Sequence, residues 1–431
     1  MERSTCKRSE LPSGVTVVSE EMPDRRSISV GVWLRNGARD EPSEWLGVSH
    51  FIEHMMFKGT EHRDARAIAQ SLESLGGHLD AFTAREQVCY YARALAEHLP
   101  QVLDVITDIV CHSRFDDHDV GRERSVVREE IFACEDNPED KVNELLSAQV
   151  WGGHALGRPI LGTVETLDDL SSSVVREYFS SRYRPEHLVV AAAGCLDHDR
   201  LCESIEAALH APDGEPRPLS GPPPAFHPSI RHDVRSDLQQ LYLSLGTRGA
   251  AYVDADRYPL VVLNTLLGGG MSSRLFQSVR EEAGLAYSVF SATDFHRDAG
   301  MISIHLGVSP SRGREALQRV RQELVQVRDA GPSREEVAAA RAQLKGNLMI
   351  GQESVSNRMY HLAHEELYFR RLSPPEAQIA QIEAVTHEHV VELARRYLHP
   401  ERFVLTALGP EVGGPVTEAD WPVEHVTETT A

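Results

Sequence analysis

The sequence predicts an α+β fold: two homologous α/β domains from an internal duplication, each a mixed sheet with helices packed on one face. Three observations carry this. The chain has 431 residues, too long for one ordinary core and suited to two domains of about 100–200 residues. A proline-rich stretch, Ala211–Pro224, holds six prolines in fourteen residues and divides the chain near its middle. The two halves also echo each other over a period of about 215 residues, from Gly194 to Gly409.

The repeat is visible at both ends of each half. Ser27–Leu34 and Gln240–Leu245 read as strands, each followed by a turn and a helical pattern. Arg182-Tyr183-Arg-Pro185-Glu186 and Arg396-Tyr397-Leu-His-Pro400-Glu401 each end a charged helix, and the apolar runs Val189–Gly194 and Val404–Gly409 follow as strands. Strands, then long amphipathic helices, then a strand favour a mixed sheet with helices on one side. Prolines at this density exclude helix and central strand, so 211–226 is expected to be an extended linker. The expected domains are 1–210 and 227–431.

Composition narrows the function. Hydrophobic residues make up 41% and charged residues 25%, as in an ordinary globular protein. A net charge of −21 repels phosphate, so no nucleic-acid partner is expected, and a basic peptide suits the field better. No apolar run reaches the length of a membrane span. The polar N-terminus, without an apolar signal core, predicts a cytoplasmic protein. Six scattered cysteines with no Cys-x-x-Cys read as reduced, buried thiols.

The chemistry lies in Ser49-His50-Phe51-Ile52-Glu53-His54-Met55. His50 and His54 are four residues apart, about one helical turn, so both imidazoles leave one face of a helix. Two such rings are half of a tetrahedral zinc site, and Glu53 beside them is a candidate general base. The pattern is the inverted form of His-Glu-x-x-His. The matching helix of the second half, Leu260–Leu267, is apolar apart from Asn264 and Thr265, which favours chemistry in the first copy. A third ligand is expected from the acidic helix Asp119–Phe132. There Val120, Val127 and Ile131 trace one stripe, and Glu123 and Glu130 share another face.

These motifs resemble the pitrilysin/insulinase superfamily of zinc metallopeptidases, most closely its mitochondrial-processing-peptidase-like bacterial branch. Further words agree: Phe57-Lys-Gly-Thr60, Gly76-Gly77 with Ala81-Phe-Thr83, His154–Thr163 and Leu267–Phe276. The resemblance implies one Zn2+ per chain held by His50, His54 and Glu130, with Glu53 as base and Glu123 as a supporting acid. From the residues alone Glu129 competes for the ligand role. It implies too that Arg280 and Tyr287 bind substrate or the oxyanion, and that Gly77–Thr83 is an edge strand taking extended peptide by strand addition through Asp80, Ala81, Phe82 and Thr83. The family often has Asn at Asp80, so fine substrate preference is open there.

The implied activity is zinc-dependent endopeptidase action on peptides or extended polypeptide segments. The alternative is a non-catalytic scaffold or peptide-binding subunit. Related enzymes pair a metal-bearing chain with one carrying the Arg/Tyr pair. This chain carries both, which predicts a homodimer, with a heterodimer of homologous subunits as the alternative. His78, His98, His112, His118, His154 and His187 are expected at the surface or in packing, outside any second ligand set.

Overall fold

A computed structural model describes residues 5–210 and 223–424. The expected linker falls outside the described residues over 211–222. The chain divides into two compact units. One takes Met1–Ala133, Arg158–Gly221 and Ile350–Glu376; the other takes Cys134–Gly157, Pro222–Met349 and Ala377–Ala431.

The first unit is built on strands β1 (Thr5–Glu10), β2 (Thr16–Glu21), β3 (Ser27–Leu34), β4 (His78–Thr83), β5 (Val88–Leu95) and β6 (Leu188–Gly194). Their order is β1-β2-β6-β3-β5-β4, with β2 and β6 parallel and the other neighbours antiparallel, so β4 lies at an edge. The central strands are apolar on both faces. Ile28, Val30 and Val32 of β3, with Val190 and Ala192 of β6, pack under the unit's own helices. Among these is the helix Val48–Met56, which buries Phe51, Ile52, Met55 and Met56. Trp33, Val189, Ala191 and Ala193 point the other way, against Met359, Leu362 and Ala363 of the helix Val355–His364. Full burial of one such side chain contributes about 1.5–3 kcal/mol, so neither face can be left to water.

The second unit follows the same plan with β7 (Ile230–Val234), β8 (Leu241–Gly249), β9 (Ala286–Phe295), β10 (Gly300–Val308) and β11 (Val404–Gly409), ordered β7-β11-β8-β10-β9. The parallel pair β7/β11 stands where β2/β6 stands in the first sheet. On one face Leu405 and Ala407 meet Leu260, Leu263 and Leu267 of the helix Arg257–Gly268. On the other, Val404 and Met301 meet Leu146, Val150 and Trp151 of the helix Pro138–Trp151, while Leu408 packs on Val142 and Leu145.

Each sheet therefore has a helix on its second face, supplied from the other half of the sequence. Residues 134–157, assigned by sequence to the N-terminal domain, group with the second unit, and 350–376 group with the first. The physical reason is the apolar second face of each sheet. Buried charge pins the exchanged segment in the first unit: Glu366, with no exposed side-chain surface, accepts from Arg8 and Arg35, and Arg358 pairs with Glu20.

Among the described residues no helix is long and apolar enough to cross a membrane. No cysteine is in a disulfide, but only Cys89 is buried; the other five are partly exposed, unlike the expectation of buried thiols.

Candidate metal centre

The histidine-bearing helix starts where local chemistry forces it to. The buried Glu41 carboxyl accepts the N–H groups of Gly47 and Ser49, each at 2.8 Å, so it caps two of the helix's otherwise unpaired N-terminal donors, while burial pushes its pKa up to about 8. Gly47 has φ +88°, and a Cβ there would lie 2.5 Å from the Leu161 carbonyl oxygen. Gly47→Ala is therefore expected to cost about 1–3 kcal/mol, read as a lower denaturation midpoint.

With Phe51, Ile52, Met55 and Met56 turned into the core, His50 and His54 are left on a flank that is largely but not fully buried, ring centroids 4.6 Å apart. The helix Asp117–Asp136 brings Glu130 to them. Its Oε2 is 3.6 Å from His50 Nε2 and 3.3 Å from His54 Nε2. One ligand atom from each of the three residues lies within 4.8 Å of the others. Donors about 2.0–2.2 Å from a tetrahedral zinc stand about 3.3–3.6 Å from one another, so the measured edges fit a zinc-sized ion. Glu129, the rival ligand, is exposed and lies outside this cluster.

Glu123 departs from its expected place. It shares the buried stripe of Val120, Val127 and Ile131 instead of standing on a separate face. Spacings of three, four and four residues keep all four on one side of the helix. Its basic neighbours on the helix are engaged elsewhere, Arg124 with the Leu170 carbonyl and Arg128 with Asp168. Glu123 instead accepts from His54 Nδ1 at 2.7 Å and pairs with Lys58 Nζ at 2.7 Å. A carboxylate behind a ligating imidazole sets its orientation and raises its basicity. Sequence reasoning missed Lys58, although it lies in the Phe57-Lys-Gly-Thr60 word it had noted.

Electrostatics separates the two rings. Burial, with His54 alongside, pulls His50 down to about 4, so its ring is neutral and free to donate a lone pair. Burial also pulls His54 down, but the Glu123 hydrogen bond and nearby carboxylates outweigh it, and its pKa is raised. Burial opposes ionisation of Glu123 too, yet the bonds from His54 and Lys58 hold it below the usual value.

Glu53 is not part of the ligand cluster, though the charges of His54 and Glu130 act on it. Thr83 Oγ1 donates to its Oε2 at 2.5 Å, a role for Thr83 that the sequence did not reveal. Burial raises the Glu53 pKa, partly offset by that bond. Along β4 the alternation divides the expected peptide-binding residues. Ala81 packs on the helix side, which Thr83 shares. Phe82 packs on the opposite face beside Tyr91 and Tyr360, and Asp80 shares that face, accepting from Tyr91 Oη at 3.2 Å.

Arg280 and Tyr287 lie in the second unit and are brought together there. The guanidinium carbon stands 5.1 Å from the Tyr287 ring centre and 4.6 Å from that of Phe276, and Tyr287 is 83% exposed. Gly268–Gly270 ends the helix Arg257–Gly268 and opens a turn.

Known proteins share these features. Residues 16–164 match the family described as Insulinase (Peptidase family M16), and residues 169–344 match the Peptidase M16 inactive domain. An uncharacterized zinc protease of Streptomyces coelicolor is 38% identical over 413 residues, 94% of this chain and 90% of that protein. An uncharacterized zinc protease of Bacillus subtilis is 37% identical over 410 residues, 95% and 98% of the two chains. Among solved structures, a peptidase M16 inactive domain from Pseudomonas fluorescens has the same fold, with a TM-score of 0.88 at 21% identity over 97% of this chain and 100% of that one. A protease from Helicobacter pylori gives 0.88 at 20% identity over 95% and 100%. Family matches over both halves, and relatives this similar over nearly the whole chain, lead to one conclusion: the chain belongs to the insulinase (M16) family of peptidases.

Proposed function

We propose that this protein is a zinc-dependent endopeptidase that hydrolyses peptides or extended polypeptide segments. The observation that carries the reading is the convergence of His50, His54 and Glu130 at zinc-sized spacings, with a half-buried carboxylate, Glu53, on the same helix. Bound zinc supplies a Lewis acid for the scissile carbonyl and acidifies water. Glu53 takes the proton of the attacking water and returns it to the leaving amine nitrogen, a task suited to a carboxylate whose pKa burial has raised. Thr83 restrains one Glu53 oxygen and leaves the other to take the proton. Glu123 and Lys58 keep the His54 ring oriented.

The free edge of β4 takes extended substrate by strand addition, with main-chain bonds that tolerate many sequences. Arg280 and Tyr287 contact substrate, and the protein works as a homodimer in the cytoplasm. Metal analysis beside cleavage of a quenched-fluorescent peptide library tests the activity. One zinc per chain with peptide cleavage supports it; cleavage that survives complete zinc removal overturns it. Light scattering tests the dimer, which activity confined to a monomer would exclude.

Two substitutions probe the supporting residues. Glu123→Gln is expected to weaken zinc binding about 10–100-fold, measured by chelator competition. Tyr287→Phe and Arg280→Ala are each expected to lower kcat/KM about tenfold or more with zinc content unchanged. A change in zinc content would reassign them.

A further inference from the structure

A second group of metal-type donors lies in the first unit, apart from His50, His54 and Glu130. Asp108 and His112 are four residues apart on the last turn of the helix Leu99–His112, so they share a face. His62 comes from the segment that follows the histidine-bearing helix. His62 Nδ1 is hydrogen-bonded at 2.7 Å to Asp108 Oδ1, a bond that an ion would replace by widening this edge, and His112 Nδ1 is 3.3 Å from the same oxygen. The two rings stand perpendicular with centroids 4.9 Å apart, and the three donor atoms lie within 4.8 Å of one another. His112 is one of the histidines that the sequence had placed outside any second ligand set.

Three features separate this group from a surface ion pair. Asp108 is 4% exposed, and its other oxygen, Oδ2, is already engaged by Thr60 Oγ1 at 2.7 Å and Arg63 Nη1 at 2.5 Å, which leaves Oδ1 to the imidazoles. His112 Nδ1 is sealed from solvent and has no hydrogen-bond partner, a buried polar atom with its lone pair or proton unsatisfied. The segment bearing His62 is also held in place. Glu61 N donates to the His112 carbonyl, Arg114 N to that of Gly59, and Thr60 N to that of Arg63. Charge favours a cation as well. Arg63 is shared between Asp108 and Asp104, so one negative charge is left over among the three.

We propose that His62, Asp108 and His112 form a second divalent-metal site. Two imidazole nitrogens and one carboxylate oxygen suit borderline transition ions such as Zn2+ or Co2+ over Mg2+ or Ca2+, which take oxygen ligands. The outer sides of His62 and His112 are solvent-accessible, so water completes the coordination. A metal there clasps the segment after the histidine-bearing helix to the end of the helix Leu99–His112. That segment begins near Lys58, which contacts Glu123, so occupancy also steadies the support behind His54. The site is independent of the proposed peptidase chemistry and stands even if that reading fails.

The test is equilibrium dialysis of the full chain against limiting Zn2+ with a weak chelator, followed by metal analysis, for four proteins. These are wild type, His50→Gln/His54→Gln, His62→Gln/His112→Gln and the quadruple variant, each checked for folding by circular dichroism. The expected zinc contents are about two, one, one and none per chain. Contents of one, none, one and none would overturn the second site while leaving the first. Contents of one, one, none and none would keep the second site and remove the first. Should His62→Gln/His112→Gln not fold, Co2+ titration of His50→Gln/His54→Gln replaces it. A visible d–d band saturating at one equivalent is expected, and no saturable band would overturn the proposal.

Discussion

Glu53→Gln is expected to retain zinc and bind peptide while losing cleavage by about 10²–10⁴-fold or more in kcat, the usual contribution of a positioned general base. Glutamine has the same shape and can still accept the Thr83 hydroxyl, so the helix and its histidines stay in place. It cannot take up a proton from water. Because Glu53 is outside the ligand cluster, zinc content is expected to match wild type. A loss in kcat and kcat/KM together, with KM little changed, is the signature of an interaction made in the transition state. Unchanged cleavage would show the base to be another group, and loss of zinc with activity would make Glu53 part of the metal site.

Glu130→Gln is expected to lower zinc affinity by more than the roughly 10–100-fold that removal of an outer partner costs, because it replaces a charged ligand. Glu129→Gln, at an exposed neighbouring position, is expected to leave affinity unchanged. Calorimetry or chelator competition on both variants reads the difference, and the reverse result would exchange the two residues. Affinity is also expected to fall on acidification, since protons compete with the metal for His54, whose pKa is raised. In the metal-free protein the signs are different for the two partners of the pair. The contribution of His54 is complete below its ordinary value of 6.5 and is lost as pH rises through the raised folded value. That of Glu123 is complete above its ordinary value of 4.5 and is lost as pH falls through the lowered one. Thermal stability of the apo protein is therefore expected to peak between 4.5 and 6.5 as far as this pair is concerned, and zinc shifts the balance toward higher pH.

The sequence by itself determined what depends on near neighbours in the chain. The spacing of His50 and His54 put both rings on one face because a helix repeats every 3.6 residues, whatever it packs against. Alternation and turn residues marked β3, β6, β8 and β11, and the repeat of these elements predicted two sheets of one plan. Local pattern left Glu129 and Glu130 level, the family resemblance favoured Glu130, and the tertiary structure places Glu130 beside both histidines. That choice rests on how the helix Asp117–Asp136 is rotated about its axis, and adjacent residues differ there by about 100°. Contacts across the fold likewise made Lys58 the partner of Glu123, Thr83 the partner of Glu53, and His62 the neighbour of Asp108 and His112. The helices Pro138–Trp151 and Val355–His364 were exchanged for the same kind of reason. An amphipathic pattern shows that a helix has a face to bury, but which sheet it buries that face against depends on through-space packing, which the periodicity of one chain does not encode.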